Sequence, residues 1–217
     1  MTLHVVVVTR NRSLYVKTLH TLLALQGWCR HGNLPIELEF VNDANKEKMV
    51  VLKKKLKTGE RVFWIDYGVS CDRDTIHHAI IKYDKFDCLV FPAAKEGVDW
   101  EMFKKKVKEG STEPAYQMGL TFDTDINTTT ISKEPLFMGV RATNPTMWAM
   151  DTKPVTRKLK DKNNLVLPPT IGEFFSKCLT RKVRIGASVS STTFNHFTHE
   201  CIGNIMNMAG LKVTKPL

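Results

Sequence analysis

The sequence predicts an α/β domain in which a central, mostly parallel mixed sheet is flanked by helices. Three observations carry this. Short unbroken apolar runs, Leu3 to Val8 and Val62 to Ile65 above all, are rich in β-branched and aromatic residues, as strands buried on both faces are. Segments with apolar residues at helical spacing lie between such runs. The connections are short, so strand and helix alternate in the manner of a parallel half-sheet with right-handed crossovers. With 217 residues and no Gly/Ser linker, internal repeat or low-complexity tract, the chain reads as one domain over 1–217 with a sizeable core.

Taken in order, Leu3 to Val8 is the first strand. Thr9, Arg10, Asn11 and Arg12 form a polar turn, and Ser13 to Gln26 reads as a helix closed by Gly27. Ile36 to Val41 alternates apolar and acidic residues and ends at Asn42 and Asp43; a helix follows over Asn45 to Lys57, with Asp43 as its expected cap. Val62 to Ile65 is the third strand, followed by Asp66, Tyr67 and Gly68 and then by a helix that opens at Asp72 or Asp74 and runs to Tyr83. Cys88 to Pro92 is the fourth strand of the parallel set. Glu96 to Glu109 reads as an amphipathic helix, and Asp123 and Asp125 fall in a turn after a weaker strand. Pro135 to Asp151 reads as two strands around a turn at Asn144-Pro145, and Lys153 to Asn164 as a loop or frayed helix. Thr170 and Glu173 have capping-box spacing at the head of a helix to Leu179, and Val183 to Ala187 is a further short strand.

Composition narrows the function. A net charge of +10 suits nucleic acid, acidic lipid or phosphorylated small ligands. The lysines gather in helical runs such as Lys53 to Lys57 and Lys104 to Lys108, with no interleaved aromatics, zinc-finger spacing or RNA-recognition string, so nucleic acid is not the expected partner. No apolar run approaches a membrane span, and MTLHVVVVTRNR is too short an apolar core, with its arginines on the wrong side, for a signal peptide. Five scattered cysteines without a CxxC predict reduced thiols and a cytoplasmic setting. Neither GxGxxG nor GxxxxGK[ST] occurs, which excludes the dinucleotide fingerprint and the P-loop.

Chemistry is expected at the carboxyl ends of the strands, where open α/β sheets bind ligands. Asp66 ends the bulkiest apolar strand, and a stiff carboxylate there suits a divalent cation that in turn holds a diphosphate; its plainer role is to start a turn. Arg10 and Arg12 at a strand-to-helix turn favour a phosphate, or are surface charge. Asp43 can accept from a base N–H or a ribose hydroxyl, or cap a helix. Asp72 and Asp74 form a second acidic pair, and the tail string with His196, His199 and Cys201 offers metal ligands.

The order of these pieces resembles a glycosyltransferase of the GT-A type. VVVVTRNRS stands where that family's first strand and polar turn stand, VND where an acid faces the base, and FWIDYG where the DxD motif holds the metal on the nucleotide diphosphate. FMGVRATNPTMWAMD resembles the acceptor segment, and TIGEFFSKCLTRKVRIG the helix-strand unit whose acid serves as base. The likeness extends to the chlorovirus members that build capsid-protein glycans, which would put such an enzyme in the host cytoplasm. It implies a nucleotide-binding half over about 1–95 and an acceptor-side half over about 96–217. It implies a nucleotide-sugar donor, most readily a UDP-sugar, a glycan or glycoprotein acceptor, and Mn²⁺ or Mg²⁺. Thr9, Arg10, Arg12, Asp43, Asp66 and Tyr67 would bind the donor, and Asp66 with His196 the metal, Asp72, Asp74 and His199 being the alternatives. Glu173 would be the base of an inverting transfer, with Trp148 and Met150 shaping the acceptor platform. Two departures stand out: Gly68 occupies the second DxD position, and Gly172 precedes Glu173 where a second acid is usual. The rival readings are a sugar nucleotidyltransferase, which wants a Gly-rich loop that TRNRS lacks, and a basic nucleic-acid-binding domain.

Overall fold

A computed structural model describes residues 2–115, 117–131, 137–162 and 164–196, the side chains of 128–131 excepted. The first strand, β1 (Leu3–Thr9), has six consecutive buried residues and lies between two parallel neighbours, β2 (Ile36–Asn42) and β3 (Arg61–Ile65). Helices α1 (Val16–His31) and α2 (Asn45–Leu56) make the two crossovers. A short strand β4 (Val69–Cys71) and helix α3 (Arg73–Ile80) lead to β5 (Cys88–Val90), and α4 (Trp100–Lys108) follows. The second half adds β6 (Thr124–Ile131), β7 (Phe137–Thr143), β8 (Met147–Asp151), α5 (Thr152–Leu159), α6 (Ile171–Thr180), β9 (Ile185–Ser188) and β10 (Thr193–Asn195).

Eight strands form one mixed sheet in the order β2-β1-β3-β8-β5-β9-β7-β6, and β10 pairs with β4 in a small second sheet. The cores on the two faces are set by alternation. Val6, Val8, Val62, Trp64, Trp148 and Met150 point to the face covered by α2, α5 and α6. Val5, Val7, Phe63, Ile65, Met147 and Ala149 point to the face where Leu22 and Leu25 of α1 and Ile76 of α3 pack.

Three expectations are corrected. The fourth strand of the parallel set, β5, is not beside β3: the antiparallel β8 is inserted between them, in register Trp64 to Trp148. The 147–151 run, MWAMD, is apolar enough to be buried on both faces, so it takes a central place. The strands on either side of Asn144-Pro145 therefore do not pair with each other; β7 lies between β9 and β6. Helix α1 passes through Gly27, since Leu25 and Cys29 continue its buried face, and it stops at Gly32. Of the loop or frayed helix expected over Lys153 to Asn164, the helix is the one that forms, over 152–159, because Val155 and Leu159 are buried and the Thr156 hydroxyl donates to the Leu56 carbonyl at 2.7 Å. No helix among the described residues is long and apolar enough to cross a membrane. The four described cysteines are free, and Cys201 lies outside the described residues.

Candidate active site

The carboxyl ends of β1, β2 and β3 lie side by side, Thr9 against Asn42 and Val7 against Ile65. The residues that follow each strand line a recess of about 310 Å³: Arg10 after β1, Asp43 after β2, Asp66 and Tyr67 after β3. Lys48 of α2 closes one side; Lys95, Glu96, Asp123, Asn144, Thr146 and Asn195 supply the facing wall.

A charge network organises the near wall. Arg10 donates from Nε to Asp43 Oδ2 at 2.7 Å and from both terminal nitrogens to Glu96, at 2.9 and 3.1 Å. Its guanidinium lies 4.9 Å from the centre of the Tyr67 ring, a cation–π contact. The Lys48 ammonium, on a buried side chain, donates to Asp43 Oδ1 at 2.6 Å and stands 3.7 Å from Asp66 Oδ1. Burial pushes the Asp43 carboxyl up, but the bonds from Lys48 and Arg10 outweigh it and hold the group below its usual range. Asp43 therefore pairs with these cations and does not cap α2, whose N-cap is Ala44 with no side-chain bond.

Asp66 differs. Burial raises its pKa, and the Lys48 charge and a bond from the Tyr67 N–H only partly oppose that. The backbone after it turns sharply: the Val69 N–H donates to the Asp66 carbonyl, and Gly68 has φ of +71°. An aspartate in that left-handed conformation would be strained, which gives a backbone reason for the glycine two residues after Asp66.

Asp123 is a structural counterpart on the far wall. Its Oδ1 accepts from the Ala93 N–H and the Thr124 hydroxyl, and its Oδ2 from the Thr146 N–H and hydroxyl, at 2.9–3.2 Å. Burial still raises its pKa. With four donors on it, this carboxylate ties the 93 and 144–146 segments to β6.

The other expected site residues are distributed as follows. Thr9 donates to the Val41 carbonyl at 3.2 Å and joins the ends of β1 and β2. Arg12 is exposed in a tight turn closed by mutual Arg10–Ser13 backbone bonds, with Asn11 and Arg12 at φ of 51° and 59°. Glu173 is exposed in the first turn of α6, where the Thr170 hydroxyl accepts from its N–H at 3.2 Å. Gly172 brings this turn to the recess, since a Cβ there would stand 3.0 Å from Asn144 Oδ1. Asp72 caps α3, accepting from the Thr75 N–H and hydroxyl and from the Thr192 N–H, and neither it nor Asp74 lines the recess. The His196 ring bonds to the Ser70 hydroxyl at 2.6 Å and stacks on Tyr15; its neighbour Asn195, rather than His196, lines the recess. His199 lies outside the described residues. Trp148 and Met150 are corrected: both are 0% exposed, and Trp148 stacks on Trp64 at 5.3 Å between parallel rings, so they are core and form no acceptor platform.

Lys48, Glu96, Asn144 and Asn195 were not expected. Lys48 is masked in the sequence by the lysines around it; its one signal is its place beside Met49 on the buried side of α2. Glu96 meets Arg10 across 86 positions, a pairing no local pattern announces.

Among the described residues, no three His, Cys, Asp or Glu side chains converge on a metal position. The chemistry present fits a hard cation shared with a ligand: a single carboxylate, with Asp66 Oδ2 free of donors among the described residues, plus oxygens of a diphosphate, as Mg²⁺ commonly takes.

No protein-family model matches the sequence, and no curated protein matches it. Solved structures do. GalNAc-T7, solved with UDP, GalNAc and Mn²⁺, superposes with a TM-score of 0.52 at 11% identity, over 89% of this chain and 43% of that one. The present chain thus spans less than half the length of that protein. A Bacillus anthracis protein described as a glucose-1-phosphate thymidylyltransferase reaches 0.49 at 9% identity, over 99% and 98% of the two chains. A glycosyltransferase involved in glycosylation of the major capsid of PBCV-1 reaches 0.29 at 8% identity, over 42% of this chain and 52% of that one. The last two likenesses are too slight to carry an argument. The first concerns architecture: this chain has the GT-A fold that its motif order resembles.

Proposed function

We propose that the chain is a glycosyltransferase that moves a sugar from a UDP-sugar to a hydroxyl of a glycan or glycoprotein. The observation that carries this reading is the recess itself. Within a GT-A fold, a carboxylate of raised pKa closes the third strand beside a lysine and an arginine, at the strand ends where a nucleotide diphosphate is held.

In this reading Asp43, fixed by Arg10 and Lys48, accepts from the nucleoside, while Arg10 on Tyr67 walls the nucleotide. Thr9 keeps the first two strand ends together beneath it. Asp66 would hold Mn²⁺ or Mg²⁺ together with the diphosphate oxygens, and the ion would supply Lewis-acid relief of the departing diphosphate's charge. Lys48 and Arg10 add fixed positive charge to the same wall, so no protein acid is needed for the leaving group. Glu173, exposed where the α6 turn meets Asn144, takes the proton of the acceptor hydroxyl on the opposite face, which inverts C1.

Incubation with UDP-, GDP- and TDP-sugars and Mn²⁺, followed by chromatography of the nucleotides, tests the proposal. UDP released from one UDP-sugar, with sugar gained by an acceptor glycan, is the expected result. Glu173→Gln is expected to stop transfer and leave donor binding intact. Consumption of a nucleoside triphosphate with a sugar 1-phosphate, releasing pyrophosphate, would make the protein a nucleotidyltransferase and overturn the proposal.

A further inference from the structure

A second and larger concavity lies at the opposite end of the sheet. It is a groove of about 1390 Å³ lined by eight lysines and arginines against three aspartates. It sits where β3 and β5 begin and β8 ends: Asp151 is the last residue of β8, and Asp87 precedes β5. The recess holding Asp66 opens where β3 ends, so the two concavities face opposite edges of the same strands.

The cations converge from separate stretches of chain. Lys53 and Lys57 come from α2 and its C-cap, Lys153, Arg157 and Lys160 from α5 and its C-cap, and Lys82 from the segment after α3. All six are exposed, and none makes an ion pair among the described residues. The lining carboxylates do not offset them. Asp87 is taken by Lys158 at 2.6 Å and Arg184 at 2.7 Å, and Asp151 by Arg61 at 2.9 Å. Only Asp84 is left. A lysine run on one helix is a solvated face; unpaired charge from three segments that converges on one groove creates a focused positive field.

The shape restricts what such a field can hold. A groove suits a chain better than a flat bilayer. Its two lining aromatics, Tyr83 and Phe86, pack on Phe137 at ring distances of 4.8 and 5.6 Å, so they are committed to the core and offer no stacking platform for bases. We propose that this groove binds an anionic glycan chain, carrying carboxylate or phosphate groups, remote from the transfer site. The choice of a glycan over other polyanions rests on the transferase reading; the groove's charge does not.

Fluorescence anisotropy with labelled polygalacturonate, a labelled phosphate-bearing glycan and neutral dextran tests this on the full chain. The two anionic arms separate carboxylate from phosphate recognition. Binding of at least one of them, absent for dextran and weakened by salt, is expected. The triple variant Lys53→Glu, Lys153→Glu, Arg157→Glu should weaken it by about tenfold or more, because charge repulsion replaces attraction at three exposed positions. Gln at the same positions should give a smaller loss with an unchanged melting temperature. UDP binding, measured on the same variants, should not change. Anionic binding that charge reversal leaves intact, or single-stranded DNA or anionic vesicles bound more tightly than either glycan, would overturn the proposal. Absence of UDP binding by the unmodified chain would instead overturn the transferase reading and leave the groove's charge measurable by itself.

Discussion

At the scale of single residues, Asp66 and Asp87 show how burial and partners set opposite behaviour for the same side chain. Burial raises the pKa of Asp66 with only partial compensation from Lys48. The native state therefore binds that proton more tightly than the unfolded chain does, and the contribution to stability falls as pH rises through the native pKa. Asp66→Asn should accordingly raise the melting temperature at pH 7 without metal and have little effect at pH 3; an equal shift at both would contradict a raised pKa. Such a residue costs stability at neutral pH, as groups placed for ligands commonly do. Asp87 is the reverse case. Burial pushes it up, but bonds from Arg184 and Lys158 bring it down to about 2, below its usual 3.8. Its stabilisation is present above about 4 and is lost as pH falls toward 2. Asp87→Asn should destabilise the protein in urea at pH 7, and that difference should vanish near pH 2; a difference constant over that range would remove the ion cluster as its cause.

At the scale of elements, the central sheet is held by an aromatic pair between neighbouring strands. Trp64 of β3 and Trp148 of β8 are directly opposite and stacked, and Phe175 of α6 meets Trp148 edge-on at 5.4 Å. Trp148→Ala should cost about 3–5 kcal/mol, the usual range for emptying a large aromatic site, read by denaturant unfolding. Loss of under about 1 kcal/mol would mean that Trp148 is not core. Much of this architecture was legible: Val62 to Ile65, Leu3 to Val8 and the alternation in Ile36 to Val41 announced β3, β1 and β2, because composition and period are local properties. The insertion of β8 between β3 and β5 was not, since a strand's neighbours are chosen by distant partners. The same division holds in the recess. Arg10, Asp43 and Asp66 could be picked out because each follows an apolar run, whereas Glu96, Asn144 and Asn195 reach the recess from distant segments, and no local pattern announces where such a segment docks.

At the scale of the whole molecule, charge is sorted by the two edges of the sheet. The carboxyl edge mixes signs: Arg10 and Lys48 are engaged by Asp43 and Glu96, which leaves Asp66 the carboxylate open to a further cation. The amino edge carries lysines and an arginine unpaired among the described residues, around a groove in which two of three aspartates, Asp87 and Asp151, are already bonded. The net +10 is therefore not a uniform coat. The central claim is that Asp66 grips a cation bridging a nucleoside diphosphate. Titration calorimetry of UDP into the unmodified protein and into Asp66→Asn, each with and without Mn²⁺, tests it most directly. Tighter UDP binding with Mn²⁺ in the unmodified protein, and loss of that Mn²⁺-dependent gain in the variant, is the predicted result; the same gain in both proteins, or none in either, would contradict it.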